Sequence, residues 1–325
     1  MPGRRVLVTG AGGFIGRWSV APLLQAGFEV HAVLSRKANR EMPAELSGAQ
    51  LHAADLLERT DIDALMTRVK PSHLLHFAWI ATPGLYWSSA ENFRWLAASR
   101  HLLHCFGGHG GERVLMAGSC AEYDWSRVGV CEERSSALAD GSGVALSAYA
   151  ECKIAMQREL AQFGREQHLS TAWGRIFFQF GPHEHPDRLV PSVIRNLLLN
   201  REAPCSDGTQ VRSFLHVADV GAAFAAVLSS GLEGPVNIGS DERIAVADLI
   251  DRIARQIGRP ELIRLGARPA AAQEPPLLVP AVHRLAHEAK WQPRHTLDAG
   301  LNDTIAWWRG RLQGTVQGTA SPEPG

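Results

Sequence analysis

No stretch of this chain reaches the roughly 18 consecutive apolar residues that a membrane-spanning helix requires, and no charged leader with a short apolar core precedes the first strand pattern. A soluble, cytoplasmic protein with no membrane partner is the expectation. An excess of one charge is missing too. The 33 Lys and Arg balance 33 Asp and Glu without a basic stripe or an acidic block, which argues against nucleic acid or an anionic membrane as a partner. Cysteine is scarce and odd in number. Cys105, Cys120, Cys131, Cys152 and Cys205 show no C-x-x-C spacing, so neither a disulfide framework nor a structural zinc site is expected, and the thiols read as reduced. No internal repeat is present. What remains is 325 residues, 45% of them hydrophobic. That is enough for a large core in one large or two closely associated domains, and small-molecule chemistry is the class left standing.

The most informative stretch is Val6-Leu7-Val8-Thr9-Gly10-Ala11-Gly12-Gly13-Phe14-Ile15-Gly16. An apolar strand runs into a glycine-rich turn and then into an amphipathic run through Leu24. Gly10 permits a tight turn, Gly13 lets the backbone approach a pyrophosphate, and Gly16 allows close helix packing, while the free N–H groups of the helix start meet phosphates. Gly10, Gly13, Phe14, Ile15 and Gly16 are therefore candidate cofactor-binding residues. Strand patterns at residues 5–9, 29–34, 74–78, 113–117 and 171–178 alternate with helical stretches such as 90–106 and 148–167. That alternation predicts an α/β fold: a doubly wound parallel sheet of the Rossmann type, with a smaller C-terminal α/β substrate domain. The expected division is 1–180 for the nucleotide domain, with 212–240 returning to it, 181–312 mainly for substrate, and 313–325 as a disordered tail.

Far downstream stands Tyr149-Ala150-Glu151-Cys152-Lys153. With the glycine turn it makes the chain resemble the extended short-chain dehydrogenase/reductase family, the nucleotide-sugar epimerases, dehydratases and ketoreductases. The resemblance spans nearly the whole length. It includes Asp55-Leu56, His76-Phe77-Ala78, Ser119 before Tyr123, Gly181-Pro182, Arg212 to Val220, Asn237-Ile238-Gly239-Ser240 and Trp291-Gln292-Pro293. Tyr149 and Lys153 share one helix face, and an ammonium there would lower the phenol pKa from near 10 towards working pH. Ser119, at the end of a neighbouring strand, would hydrogen-bond the same substrate oxygen. Ser119, Tyr149 and Lys153 are thus the catalytic candidates; the competing reading leaves Tyr149 and Lys153 as decoration of an amphipathic helix. Cys120 and Cys152 flank them and read as small buried hydrophobes rather than reactive thiols.

The resemblance extends to the cofactor. NAD-selective members place an acid after the second strand; this chain has Leu34-Ser35-Arg36-Lys37, and a cation there suits a 2′-phosphate. Ser35, Arg36 and Lys37 point to NADP, with NAD possible if they are solvated loop residues. Asp55 resembles the residue that recognises the adenine amino group, or else caps a loop; Leu56, Ala78 and Lys153 complete the cofactor candidates.

The implied substrate is a nucleotide-diphosphate sugar, and the implied assembly is a homodimer through the helices at 90–106 and 148–167. The family's 4,6-dehydratases carry Thr-Asp-Glu where this chain has Ser119-Cys120-Ala121, so the acid and base for water removal are absent. Two enzymatic readings remain: an NADPH-dependent 4-ketoreductase and a 4-epimerase with tightly held NAD. A non-catalytic NADP-binding regulatory protein is a third class, and the retention of both Tyr149 and Lys153 weighs against it. Arg212 resembles the diphosphate-binding arginine. Trp79, Cys120, Ala121 and Phe178 are the other substrate candidates, with Trp87 and Trp95 near Trp79. Finally, His183-Glu184-His185 invites a metal reading, but the flanking Pro182 and Pro186 make it a loop closing over substrate, so no metal is expected.

Overall fold

The computed structural model describes residues 4–36, 43–127, 129–142, 146–269 and 274–318. Its main sheet contains β1 (Arg5–Thr9), β2 (Glu29–Leu34), β3 (Gln50–Ala53), β4 (His73–His76), β5 (Arg113–Ser119), β6 (Ser170–Ile176) and β7 (Gly234–Ile238). The spatial order is β7-β6-β5-β4-β1-β2-β3, with every neighbouring pair parallel. The order reverses between β1 and β4, so their carboxyl ends splay apart and open a crevice where a doubly wound sheet binds its ligand.

Alternation along the strands builds two cores. Val6 and Val8 of β1 face α1 (Val20–Gln25), α6 (Val217–Ser229) and α8 (His283–His287), which contribute Leu23, Phe224 and Leu285. Leu7 points the other way, toward α2 (Arg59–Val69), α3 (Glu91–Gly108) and α4 (Ala148–Gln167), with Met66, Phe106 and Met156. Period 2 on the strands thus meets period 3.6 on the helices. A third core joins α5 (Leu189–Leu198), α7 (Val246–Ile257) and α9 (Leu297–Gly318) through Ile194, Leu249 and Leu301. Among the described residues, no helix is long and apolar enough to cross a membrane.

Four details differ from the sequence expectations. The run at 171–178 breaks: β6 ends at Ile176, and Phe178–Phe180 forms a separate short strand paired with Phe214–His216. β4 stops at His76, leaving Ala78 in the loop beyond it. Val211–Arg212 pairs with Ile244–Ala245 and Leu277–Leu278 in a small sheet, so the return to the main sheet begins with α6 rather than at Arg212. Lastly, α9 continues to Gly318, past the expected end of order near Leu312. Leu301, Ile305 and Trp308 anchor that helix in the third core, and extending an anchored helix costs far less than nucleating one.

Candidate active site

The glycine turn closes against the end of β4. Gly10 has φ +67°, and a Cβ there would sit 2.8 Å from the Ala78 nitrogen; a Cβ on Gly16 would collide with the Gly10 carbonyl. Only glycine fits either position without displacing backbone. Gly13 is exposed at the tip and donates its N–H to Gly10 O at 2.9 Å, while Phe14 and Ile15 are half-buried at the helix entrance. Arg17, which sequence reasoning missed, folds back to donate to Gly12 O at 2.8 Å and Gly13 O at 3.1 Å. Behind the turn, His76 lies between Thr9 Oγ1 at 2.7 Å and Ser99 Oγ at 2.8 Å. Burial and the nearby Lys153 hold it neutral, with a pKa lowered to about 3. This rigid, narrow backbone cradle fits a pyrophosphate.

At the end of β2, Ser35 and Arg36 are exposed, and Lys37 lies outside the described residues. Arg36 Nη2 stands 3.0 Å from Asp61 Oδ1. The acid missing from the β2 turn is thus supplied to Arg36 by α2, from too far along the chain to be read as its partner. Asp55 accepts from Leu57 N at 3.1 Å and donates its own N–H to Asp61 Oδ2 at 2.7 Å, the loop-cap geometry. Leu56 beside it is buried.

Across the crevice, Ser119 ends β5, while Tyr149 and Lys153 lie one turn apart on α4. Ser147 caps that helix by accepting from Ala150 N at 3.1 Å, and Tyr149 N donates to Trp87 O at 3.2 Å. The fold places Ser119 near enough to Tyr149 for the serine hydroxyl to act on the phenol's proton affinity. The electrostatics correct the expectation that Lys153 lowers the phenol pKa. Lys153 Nζ donates to Ala117 O at 2.8 Å and sits 3.9 Å from the Trp79 ring centroid, against 5.8 Å from that of Tyr149. Burial raises the Tyr149 phenol above its ordinary value; the Ser119 hydroxyl is the group that opposes this, while Tyr86, Glu122 and Cys120 add to it. Burial also lowers Lys153 to about 7, against the pull of Glu122. Desolvation outweighs the charge pairing that the four-residue spacing suggested.

An aromatic wall that the sequence reading only partly anticipated surrounds Tyr149. Tyr86 packs edge-on at 4.9 Å between centroids, Trp87 at 5.9 Å, and Trp125 meets Trp87 at 5.8 Å. Arg188 stands 5.4 Å from the Tyr86 ring, and its charge opposes the rise that burial gives the Tyr86 phenol. The signal for Tyr86 was its rarity, since the chain has only 3 tyrosines; nothing in the local sequence singled out Arg188 or Trp125. Trp79 donates to Asn92 Oδ1 at 2.9 Å beside Lys153, while Trp95 packs into the core under α2 and α3.

Beyond Ser119 the chain turns tightly. Ser119 Oγ accepts from Ala121 N at 3.2 Å, and Glu122 returns to accept from Ser119 N at 2.7 Å. Cys120 and Ala121 are buried in this turn, and burial pushes the Cys120 thiol up to about 12. Glu122 is consumed structurally, pairing with Arg175 at 2.8 Å and accepting from Trp173 Nε1 at 2.9 Å. No carboxylate of this turn is left for proton transfer. Arg212 is buried over Phe178, 5.3 Å from its ring, and paired with Glu274 at 2.8 Å; its Nε is buried without a partner.

The three residues of the 183–185 loop diverge. His183 pairs with Glu45 at 2.9 Å, and exposed His185 stands 3.8 Å from Asp187. Glu184 is buried, one carboxylate oxygen has no partner, and burial raises its pKa to about 8 despite the Arg188 charge.

A doubly wound parallel sheet with this glycine cradle defines a nicotinamide-dinucleotide enzyme of the extended short-chain dehydrogenase/reductase type. Comparison with known proteins is then specific. The chain belongs to the NAD dependent epimerase/dehydratase family, whose sequence model matches residues 6–239. It is 31% identical over 328 residues to a dTDP-4-dehydro-6-deoxy-D-allose reductase of a Streptomyces species, covering 94% of this chain and 97% of the relative. It is 24% identical over 346 residues to the UDP-glucose 4-epimerase of Bacillus subtilis, covering 95% and 98%. Among solved structures, a UDP-glucose 4-epimerase of Thermotoga maritima with UDP-glucose superposes with a TM-score of 0.82 at 20% identity, over 95% of this chain and 99% of the other. This last match speaks to the fold.

Proposed function

We propose that this enzyme is an NADPH-dependent ketoreductase acting on a nucleotide-linked 4-keto-deoxysugar. The observation that carries the reading is the placement of Tyr149 beside Ser119 on one wall of the crevice, where burial favours the protonated phenol. A phenol held above its ordinary pKa beside Ser119 is an acid waiting for an alkoxide. The nicotinamide cofactor, when bound, supplies hydride to the substrate carbonyl carbon. Ser119 and Tyr149 hold the carbonyl oxygen, and Tyr149 gives it a proton as the C–H bond forms, so that carbonyl becomes alcohol and the phenolate is reprotonated from solvent. Lys153, held by Ala117 O and the Trp79 face, orients the cofactor. Buried Cys120 and Ala121 offer no acid and base for dehydration. Similarity to a 4-keto-deoxysugar reductase along nearly the whole chain supports the same reading.

In this reading Gly10, Gly13, Phe14, Ile15, Gly16, Asp55, Leu56 and Ala78 hold the dinucleotide, and exposed Arg36 exchanges Asp61 for the 2′-phosphate. Trp79, Cys120, Ala121, Phe178 and Arg212 line the substrate side, with Arg188 as an added cation at its rim. A cytoplasmic homodimer through α3 and α4 belongs to the same picture. One observation favours the alternative, a 4-epimerase retaining NAD: Arg36 is already ion-paired. Titration of cofactor-free protein with NADPH and NADH, followed by oxidation assays with a nucleotide-linked 4-keto-6-deoxyhexose, separates the two. Preferred NADPH binding with stoichiometric oxidation is expected. Retained NAD with interconversion of two sugar epimers and no net oxidation would replace the reductase by the epimerase.

A further inference from the structure

Outside the cleft, Asp63 on α2 and the pair His101 and Cys105, one turn apart on α3, bring three unlike donor atoms together. His101 Nε2 lies 2.8 Å from Asp63 Oδ1, Cys105 Sγ lies 3.1 Å from the same oxygen, and Sγ lies 3.5 Å from Nε2. Among the described residues this is the one group of three or more His, Cys, Asp or Glu whose donor atoms all converge within 4.8 Å. The arrangement is not a nucleophile relay. A relay needs the acid on one ring nitrogen and the thiol on the other, whereas Asp63 and Cys105 both meet Nε2, and Nδ1 is 4.0 Å from Sγ. The three atoms surround a point instead of forming a chain.

Sulfur, imidazole nitrogen and carboxylate oxygen are the donor set of a zinc-class ion. At metal–ligand distances of about 2.3, 2.0 and 2.0 Å, a tetrahedral site sets its donors roughly 3.3–3.6 Å apart. The sulfur–nitrogen separation already meets that span, and the two contacts to Asp63 are shortened by the hydrogen bonds that hold the group together. We propose that Asp63, His101 and Cys105 form a surface site for a zinc-class divalent cation that clamps α2 to α3. The Cys105 thiolate, His101 Nε2 and one Asp63 oxygen are the ligands, and water takes the fourth position. On binding, the S–H bond breaks and its proton goes to solvent, the imidazole proton moves to Nδ1, and no electron is transferred. Arg59 lends Asp63 a neighbouring positive charge, which weakens the site without blocking it. Cysteine spacing could not reveal this group, because one ligand comes from a different helix.

The test uses the metal-free full-length protein and Co²⁺ alone. One equivalent is expected to give tetrahedral visible bands with a near-ultraviolet sulfur-to-cobalt charge-transfer absorption, and Zn²⁺ is expected to raise Tm. Cys105→Ser should lose the charge-transfer absorption, and His101→Ala should weaken Co²⁺ binding by more than roughly tenfold. No charge-transfer absorption in the native protein, or its persistence in Cys105→Ser, overturns the proposal. A Zn²⁺-induced rise in Tm undiminished in His101→Ala overturns it as well. Should Cys105→Ser not fold, exposed Asp63→Asn carries the same comparison, with retained affinity as the overturning result.

Discussion

The two walls of the crevice are built by different means. On the β1 side the cradle is almost all backbone: Gly10 lies against Ala78, Gly16 under Gly10, and Arg17 ties the loop to itself. On the α4 side, side chains from separated segments surround Tyr149, including Tyr86, Trp87, Ser119 and, through Tyr86, Arg188. Backbone geometry suits the recognition of a constant cofactor. Buried side chains set protonation, and they can be varied residue by residue to suit a reaction. The first wall is therefore expected to fail all at once when disturbed, and the second one function at a time.

The largest effect should come from Tyr149→Phe, which removes the acid and keeps the ring. Turnover is expected to fall by roughly 10²–10⁴-fold with NADPH binding unchanged in a fluorescence titration; undiminished turnover would remove Tyr149 from the proton path. Gly10→Ala attacks the other wall and should do the reverse. With φ +67° and the Ala78 nitrogen 2.8 Å from the new methyl, dinucleotide binding should weaken by about a hundredfold or more, since strain and clash together cost several kcal/mol. Equal binding of NADPH by this variant would mean that the turn does not hold the pyrophosphate.

A pH series sharpens the comparison on the side-chain wall. The folded pKa of Glu184 is raised to about 8, so between its ordinary value near 4.5 and about 8 the folded chain binds more protons than the unfolded one. Its contribution to stability is complete below that ordinary value and is lost as pH rises through about 8. Glu184→Gln should remove this part of the pH dependence, gaining a few kcal/mol relative to the native protein at pH 9 and little at pH 5, as read from urea unfolding. A parallel pair of pH profiles would deny Glu184 its raised pKa. The smallest effect is expected at Arg36, which is exposed and already paired with Asp61. Arg36→Ala should lower the preference for NADPH over NADH by about tenfold, the worth of one charge-assisted hydrogen bond, measured as the ratio of kcat/KM values. An unchanged ratio would place the origin of the preference elsewhere.

The cradle was legible because its requirements are local. Gly10, Gly13 and Gly16 stand within one turn, the preceding strand is a continuous apolar run buried on both faces, and Tyr149 and Lys153 are four apart on one helix. Arg188, Tyr86 and Trp125 were not legible as a group, because no spacing along the chain links them; the fold alone carries them to the same crevice. The strand expected at 171–178 illustrates the limit. Its residues do have strand character, but the break after Ile176 follows from two different partners, β7 and Phe214–His216, which no local pattern identifies.

The sequence by itself thus determined the parallel sheet and the glycine turn, since backbone conformation and side-chain periodicity depend on near neighbours. Tertiary structure alone decided that burial raises the Tyr149 phenol, that Lys153 turns to Ala117 and Trp79, and that Arg36 meets Asp61. It also decided that Asp63 joins His101 and Cys105. Charge and proton affinity respond to desolvation and to groups a few ångströms away in space, whatever their distance along the chain.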